Sequence, residues 1–193
     1  MITVKTLVIH PDDRSTDFLK IIYEGKGYTI FKPKYNTPVI KSEMLKIINE
    51  HDRIMMMGHG SPRGLLGYSY IFMDKDFIKV LRTKSCVCIW CHADQYVNRF
   101  GIKGFYTGMF ISEIGEARYN DINNVDQDDI DYSNYLFVEL MRKMVESPNV
   151  LNEIKSSYIG DCPVIKFNNE RLYYNKNNFP KYLYNLLNSV IDE

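Results

Sequence analysis

Two short apolar runs, each ending abruptly at a chemically reactive side chain, constrain the fold of this chain most strongly. Residues 54–57 lead into a Gly-His-Gly turn that contains His59, and residues 86–90 lead into Cys91. Apolar runs of this length between turn residues are typical of strands buried on both faces of a parallel sheet. Ligands bind outside the carboxyl ends of such strands. The sequence therefore predicts that His59 and Cys91 lie close together at a functional edge.

Strand and helix patterns alternate along the chain. Residues 4–9 and 28–31 have strand patterns, and from Ile40 apolar residues recur at a spacing that places them on one helix face. This alternation predicts an α/β fold, a three-layer sandwich with a mostly parallel central sheet and helices on both faces. Because no repeat or linker interrupts the pattern, we expect one domain over residues 1–193.

The same criteria predict further elements after the first apolar run. These are a hairpin over residues 64–72, a helix over about 93–100, a strand over 105–111, a helix that begins at Asp131 or Ser133, one or two strands over 164–167 and 171–174, and a closing helix with Leu183, Leu186, Leu187 and Val190.

Charge and apolar patterning argue against two classes of partner. Lys and Arg total 24 and Asp and Glu total 24, so the net charge is zero, whereas a nucleic-acid-binding surface is basic. No apolar run approaches the roughly 18 residues of a membrane span. The chain begins with a strand pattern and lacks the charged start and long apolar segment of a signal peptide. We therefore expect a cytoplasmic protein that binds neither nucleic acid nor membrane.

Three segments, in this order, resemble the clan CD cysteine peptidases, which include caspases, gingipains, separase and legumain. They are residues 54–60 (IMMMGHG), 88–91 (CIWC) and 104–111 (GFYTGMFI). The resemblance extends over roughly residues 2–145. It implies the caspase–haemoglobinase type of fold and a cysteine endopeptidase that acts on protein or peptide substrates without a cofactor or metal.

The resemblance also implies a role for each residue at the strand ends. His59 is the general acid and base, Cys91 is the nucleophile, and the backbone N–H groups of Gly60 and Cys91 hold the oxyanion of the tetrahedral intermediate. A helix that begins just after Cys91, together with a neighbouring His59, is expected to favour the thiolate form of Cys91.

In this family the primary substrate pocket is lined by the loop after the first strand and by the loop after the strand that follows the catalytic Cys. The corresponding side chains here, expected to bind substrate, are Asp12, Asp13, Ser112, Glu113 and Glu116. Acidic groups in these loops outnumber the single Arg14, which favours a basic residue before the cleaved bond.

The chain also departs from the caspases. The spacing of 32 residues from His59 to Cys91 is shorter than the roughly 50 of caspases. Trp90 precedes the Cys, so a caspase-like preference for Asp is not implied. An alternative function therefore stays open, in which the domain is catalytically silent and serves as a binding or regulatory module.

Other motifs in the chain fit known sites less well. Cys88 to His92 matches the C-x-x-C-H of haem attachment, but the segment has the pattern of a buried strand. Zinc binding by the same cysteines is disfavoured because alternate strand residues face opposite sides. The loop after His59 lacks the Lys of a P-loop. Residues 58–61 (Gly-His-Gly-Ser) resemble the start of chelatases, in which a His binds metal, but there the motif follows the first strand and here it follows the third. The acidic residues over 121–131 do not match an EF-hand calcium site, because Val125 occupies a ligand position.

Overall fold

A mixed six-stranded sheet organises the chain, and the computed structural model describes residues 4–67 and 70–176. The strands, in chain order, are β1 (Thr6–Ile9), β2 (Thr29–Phe31), β3 (Arg53–Met57), β4 (Gly60–Ser61), β5 (Gly64–Leu66), β6 (Ile71–Met73), β7 (Ser85–Ile89), β8 (Gly104–Thr107) and β9 (Leu172–Asn175). The main sheet has the order β2-β1-β3-β7-β8-β9. All its neighbouring strands are parallel except β8 and β9.

Helices connect most of these strands. In chain order they are a 3₁₀ helix (Arg14–Ile22), α1 (Pro38–Asn49), a short 3₁₀ turn (Lys75–Phe77), α2 (Ile78–Leu81), α3 (Ala93–Phe100), α4 (Ile114–Tyr119), α5 (Gln127–Met144), α6 (Val150–Ser157) and α7 (Pro163–Glu170). The closing helix predicted around residues 183–190 lies outside the described residues.

Side chains of the central strands alternate between two apolar clusters, one on each face of the sheet. In β3, Ile54 and Met56 pack into the first cluster, whereas Met55 and Met57 pack into the second. The first cluster also holds residues of α1, α2 and α3, and the second holds residues of the long 3₁₀ helix, α5, α6 and α7. Burial on both faces explains why β3 is apolar from Ile54 to Met57. The predicted α/β fold with a mostly parallel sheet and helices on both faces is confirmed.

The predictions around the two apolar runs are confirmed. β3 and β7 are neighbouring parallel strands, and α3 follows β7 at the predicted position. The hairpin predicted over residues 64–72 is present as β5 and β6, with β4 as its third antiparallel strand.

The prediction of a strand over residues 164–167 is wrong, because these residues belong to α7. Pro163 lies in the first turn of this helix, where its missing N–H removes no intrahelical hydrogen bond. Val164, Ile165 and Asn168 are the buried residues of α7. Their spacing is helical, but a segment this short does not separate a helical period from strand alternation.

The helix predicted to begin at Asp131 or Ser133 begins earlier. Asp126 caps α5, and its carboxylate accepts a hydrogen bond from the N–H of Asp129 at 3.0 Å. The Asp129 carboxylate accepts in return from the N–H of Asp126 at 3.2 Å. This reciprocal capping box gives both carboxylates a structural role at the start of α5.

The strand predicted over residues 105–111 is shorter, because β8 ends at Thr107 and a loop follows. Buried Asn168 takes over the hydrogen bonds of the missing strand. Its Oδ1 accepts from Ile111 N at 2.7 Å, and its Nδ2 donates to Ile111 O at 2.9 Å. These two hydrogen bonds hold the loop that carries Ser112 and Glu113 at the carboxyl edge of the sheet.

Candidate active site

The register between β3 and β7 brings His59 and Cys91 to the same place. Met57 and Ile89 are Cα partners in this parallel pair, and His59 and Cys91 each follow by two residues. Both residues lie just beyond the ends of β3 and β7, which end at Met57 and Ile89. They line one small cavity of about 20 Å³, about the volume that a single water molecule needs.

Gly60 follows His59 and packs directly against Trp90. A Cβ atom at position 60 would lie 1.9 Å from Cδ1 of Trp90, so only glycine fits. The Trp90 backbone is fixed in turn by buried Thr107, whose Oγ1 accepts from Trp90 N at 3.2 Å and donates to Trp90 O at 2.9 Å. The sequence therefore keeps a glycine beside His59 because of close packing.

The pairing of β4 with β5 sets the direction of the Gly60 N–H. Leu66 N donates to His59 O at 2.8 Å, so residues 59 and 66 form a hydrogen-bonded pair. Hydrogen-bonded and non-hydrogen-bonded pairs alternate in an antiparallel ladder, and Gly60 is opposite Leu65. The Gly60 N–H consequently points away from β5 and is not used by the ladder.

His59 is held by a chain of two hydrogen bonds that starts at Asp13. Ser15 Oγ donates to Asp13 Oδ1 at 2.8 Å and lies 2.6 Å from His59 Nε2. Because the Ser15 proton is directed to Asp13, Ser15 Oγ accepts from Nε2–H of His59. The hydrogen bond from Ser15, with burial opposing it, holds the pKa of Asp13 below its ordinary value. Nδ1 of His59 is therefore the ring nitrogen left for proton transfer.

Cys91 is held as a thiol. Its Sγ lies 3.4 Å from the Phe110 carbonyl oxygen and 3.5 Å from Oε1 of Glu116, and its single S–H proton has these two acceptors to choose between. Burial, followed by the charge of Glu116, raises the pKa of Cys91 to about 12. The expectation that a helix start favours the thiolate is therefore wrong for this structure. α3 begins only at Ala93, after His92 in a left-handed conformation (φ 66°), and the nearest full charge is negative.

Glu116 has two structural tasks besides its contact with Cys91. Its Oε2 accepts from Ser112 N at 2.8 Å and from Glu113 N at 3.2 Å, and Glu113 and Glu116 form the capping box of α4. Glu116 was predicted to bind substrate. In the structure one of its carboxylate oxygens lies against the Cys91 thiol, and the other accepts the hydrogen bonds that cap α4.

The predicted substrate residues of the first loop lie on the other side of His59. Asp12 is exposed, with its carboxylate 3.9 Å from Lys32 Nζ. It lines a cavity of about 400 Å³ together with Asp13 and His59. The Asp13 carboxylate lies 3.9 Å from His59 Nε2, which makes it a partner of His59.

Ser112 and Glu113 line a separate groove of about 420 Å³ between the long 3₁₀ helix and α5. Ser112 also lines the small cavity of His59 and Cys91. The groove is therefore adjacent to the cavity that contains the two candidate catalytic residues.

Three residues important to this geometry were not identified from the sequence: Ser15, Asn134 and Asn168. Ser15 had a local signal, because an Asp two residues before a Ser is typical of a side-chain turn, and Asp13 Oδ1 accepts from Ser15 N at 3.0 Å. The two asparagines lie in helices and bond to a distant loop, which leaves no signal in their own segments.

The described residues contain neither a cluster of metal-ligating side chains nor a helix that could cross a membrane. Within residues 4–67 and 70–176, no group of three or more His, Cys, Asp or Glu side chains is arranged to hold a metal ion. Over the same residues, no helix combines the length and apolar character that crossing a membrane requires.

No protein-family model matches the chain, and no curated protein matches it either. The chemistry of the site is therefore argued from its own residues.

Proposed function

We propose that this protein is a cysteine endopeptidase of the clan CD type, with a caspase–haemoglobinase fold, that hydrolyses peptide bonds in protein or peptide substrates. One observation carries the proposal: His59 and Cys91, each two residues past a register pair of parallel strands, line the same cavity. Covalent acyl transfer requires at least a nucleophile and a base that line the same site.

The proposed reaction has two halves. Nδ1 of His59 takes the Cys91 proton as the sulfur attacks the substrate carbonyl carbon, and the N–H groups of Gly60 and Cys91 bind the resulting oxyanion. The C–N bond then breaks, and the amine leaves with the proton from His59. Water attacks the thioester with His59 as base, which releases the acid and returns the proton to the sulfur.

The resting state limits how this reaction starts. With a pKa of about 12, Cys91 is protonated at neutral pH, so the thiolate is not preformed. Proton transfer to His59 has to accompany the attack, and a substrate group that shields or displaces the Glu116 carboxylate assists it. Ser15 and Asp13 stabilise the imidazolium that forms.

The test is covalent labelling with a peptidyl acyloxymethylketone, combined with digestion of a peptide library. We expect labelling on Cys91, its loss in Cys91→Ala, and strong reduction in His59→Ala. Cys162→Ala is the matched control, since Cys162 is the other cysteine of intermediate burial among the described residues. Equal labelling of Cys91 in wild type and His59→Ala, without any peptide cleavage, contradicts the proposal.

A second candidate function rests on the protonation state of Cys91. A thiol whose proton lies within reach of both Glu116 and the Phe110 carbonyl suits a catalytically silent domain that binds a partner. This function predicts no cleavage of any library peptide and retention of peptide or partner binding in Cys91→Ala. The same digestion, followed by a binding measurement on the variant, distinguishes the two.

A further inference from the structure

His59 lines a second, larger cavity that Cys91 does not line. This cavity has a volume of about 400 Å³, which is large enough to hold an amino-acid side chain. It shares Thr16, Gly58 and His59 with the small cavity of the two candidate catalytic residues. The rest of its wall comes from the loops after β1 and β2 and from the end of β5. His59 therefore separates the nucleophile from a cavity at the same edge of the sheet.

The path of the proton in the proposed reaction assigns this cavity to one half of the substrate. The leaving nitrogen takes its proton from His59, so it lies next to the imidazole ring, whereas the acyl half stays bonded to Cys91 Sγ. The chain that begins at the leaving nitrogen consequently extends past His59 and away from the sulfur. The cavity of about 400 Å³ is the space beside His59 that can receive it.

The charged groups of this cavity are unequally paired. The Asp13 carboxylate lies 3.9 Å from His59 Nε2, and the Asp12 carboxylate lies 3.9 Å from Lys32 Nζ. Lys34 is exposed and lines the cavity from the loop after β2. Over residues 4–67 and 70–176, no carboxylate lies within salt-bridge distance of Lys34 Nζ. Both acids of the wall thus have a basic partner, and the Lys34 ammonium has no acidic one there.

The reaction itself adds positive charge to this cavity. At rest the charges of Asp12, Asp13, Lys32 and Lys34 cancel, and transfer of the thiol proton to His59 leaves a net charge of +1. An anionic group in the cavity is attracted to the imidazolium and to the Lys34 ammonium at that stage. Part of the uncharged wall consists of three apolar side chains, which are Pro11, Pro33 and Leu66. A side chain with a methylene stem and a carboxylate head suits these surroundings.

We propose that this cavity binds the residue after the cleaved bond and selects an acidic side chain there, with Lys34 as the group that pairs with its carboxylate. The preference is for Glu over its neutral isostere Gln. This inference rests on the proposed peptidase function, but its binding step can be measured without catalysis.

Binding is measured on the Cys91→Ala variant, which cannot form the acyl-enzyme. The probes are the tripeptides X-Ala-Ala-amide with a free amino terminus, in which X is Glu, Gln, Leu or Lys, because they reproduce the half of the substrate that leaves. Their affinities are obtained by NMR titration of the His59 ring signals. We expect the Glu peptide to bind roughly three- to fivefold more tightly than the Gln peptide and the Lys peptide to bind most weakly.

Substitutions of two lysines in the same background locate the site. Lys34→Gln should abolish the difference between the Glu and Gln peptides, and Lys34→Glu should make the Lys peptide the tighter ligand. Lys46→Gln is the matched control, because Lys46 is an exposed lysine in the last turn of α1 and its substitution changes the net charge equally. It should leave all affinities unchanged. Since Lys34 is exposed, its variants are expected to fold.

The outcomes separate this inference from the proposed function. Equal affinity for the Glu and Gln peptides, tightest binding of the Leu or Lys peptide, no measurable binding of any probe, or a Glu preference that survives Lys34→Gln overturns the acidic-residue site. If the Glu preference depends on Lys34 but wild type cleaves no library peptide, the peptidase proposal fails and the binding preference stands. If wild type cleaves peptides without favouring an acidic residue after the cut, the peptidase proposal stands and the inference fails.

Discussion

Glu116 lies against the thiol of Cys91, and its effect on the Cys91 proton can be measured with a single substitution. Its carboxylate accepts from the thiol and is the second cause, after burial, of the raised pKa of Cys91. Glu116→Gln removes the charge and keeps an acceptor for the α4 cap. We expect the pKa of Cys91 to fall and alkylation by iodoacetamide to be faster at pH 8 and 9 than in wild type.

Glu113→Gln provides a graded comparison for this experiment. Glu113 is the smallest of the causes that raise the pKa of Cys91, so its variant should shift the alkylation profile in the same direction but less. An unchanged or higher pKa of Cys91 in Glu116→Gln contradicts the proposed role of the carboxylate.

Ser15 is expected to position His59 through one hydrogen bond. In Ser15→Ala the Nε2–H of His59 loses its acceptor, so we expect the ring to populate both tautomers and turnover to fall by roughly tenfold or more. Nitrogen NMR of the His59 ring reports the tautomer whether or not the protein is active. Ser156→Ala, at an exposed serine of α6, is the control. A His59 ring that keeps the wild-type tautomer in Ser15→Ala argues against the positioning role.

At the residue scale, the sequence identifies side chains that follow the end of a strand and misses side chains that reach the site from distant segments of the chain. His59 and Cys91 were identified because each directly follows an apolar run. The acid that faces Cys91 was assigned to substrate instead, because the contact of Glu116 with the thiol spans 25 residues. Asn134 was missed for the same reason, since its bond to Ser112 depends on how α5 packs on the loop.

At the scale of elements, the β4–β5 strand pair depends on the close contact of Gly60 with Trp90. Gly60→Ala places a methyl group 1.9 Å from the Trp90 ring, so Trp90 or β4 must move. We expect the free energy of unfolding to fall by about 1–3 kcal/mol, measured by urea denaturation. Gly115→Ala is the control: nothing lies within 4 Å of its added Cβ, and it lies in α4, so stability should rise by about 0.5 kcal/mol. Unchanged stability in Gly60→Ala contradicts the packing argument.

Elements with a strong local pattern were predicted, and elements defined by packing were not. After their first residues, β3 and β7 are apolar because both faces are covered, and the sequence shows that pattern directly. α7 was mistaken for a strand because its buried Val164 and Ile165 divide between two different clusters. The start of α5 was placed too late because several acids compete for the cap position, and only the reciprocal bonds of Asp126 and Asp129 decide between them.

On the scale of the whole molecule, one turn at the start of the long 3₁₀ helix serves two histidines at the edge of the sheet. Through its carboxylate and Ser15, Asp13 holds His59. The Asp13 carbonyl oxygen accepts from Thr16 Oγ1 at 3.0 Å, and Thr16 Oγ1 lies 3.0 Å from Nε2 of His10. The loop after β1 thereby connects the buried end of that strand to the candidate catalytic histidine.

His10 is built into this structure as a neutral ring. Because the Thr16 proton is directed to Asp13, Thr16 Oγ1 accepts from Nε2–H of His10, and Nδ1 accepts from the Tyr23 hydroxyl at 2.9 Å. A second ring proton, on Nδ1, would require the Tyr23 hydroxyl to change from donor to acceptor. Burial, followed by the charge of Lys32, lowers the pKa of His10 to about 4.

This arrangement predicts that stability falls in mild acid. An unfolded chain takes up the His10 proton below about pH 6.5, whereas the folded protein does so only near pH 4. The contribution of the neutral ring is therefore complete above pH 6.5 and is lost as pH falls towards 4. Between pH 7 and pH 5 the free energy of unfolding should decrease by about 2 kcal/mol from this group.

His10→Gln isolates the effect, because every other titrating group is shared with wild type. The variant is expected to be less stable than wild type at pH 7, since it loses part of the network with Thr16 and Tyr23. Because it lacks the titrating ring, its deficit should shrink by about 2 kcal/mol at pH 5. Urea denaturation of both proteins at several pH values between 4 and 7 measures this difference, and parallel stability curves would show that His10 is not the group that titrates.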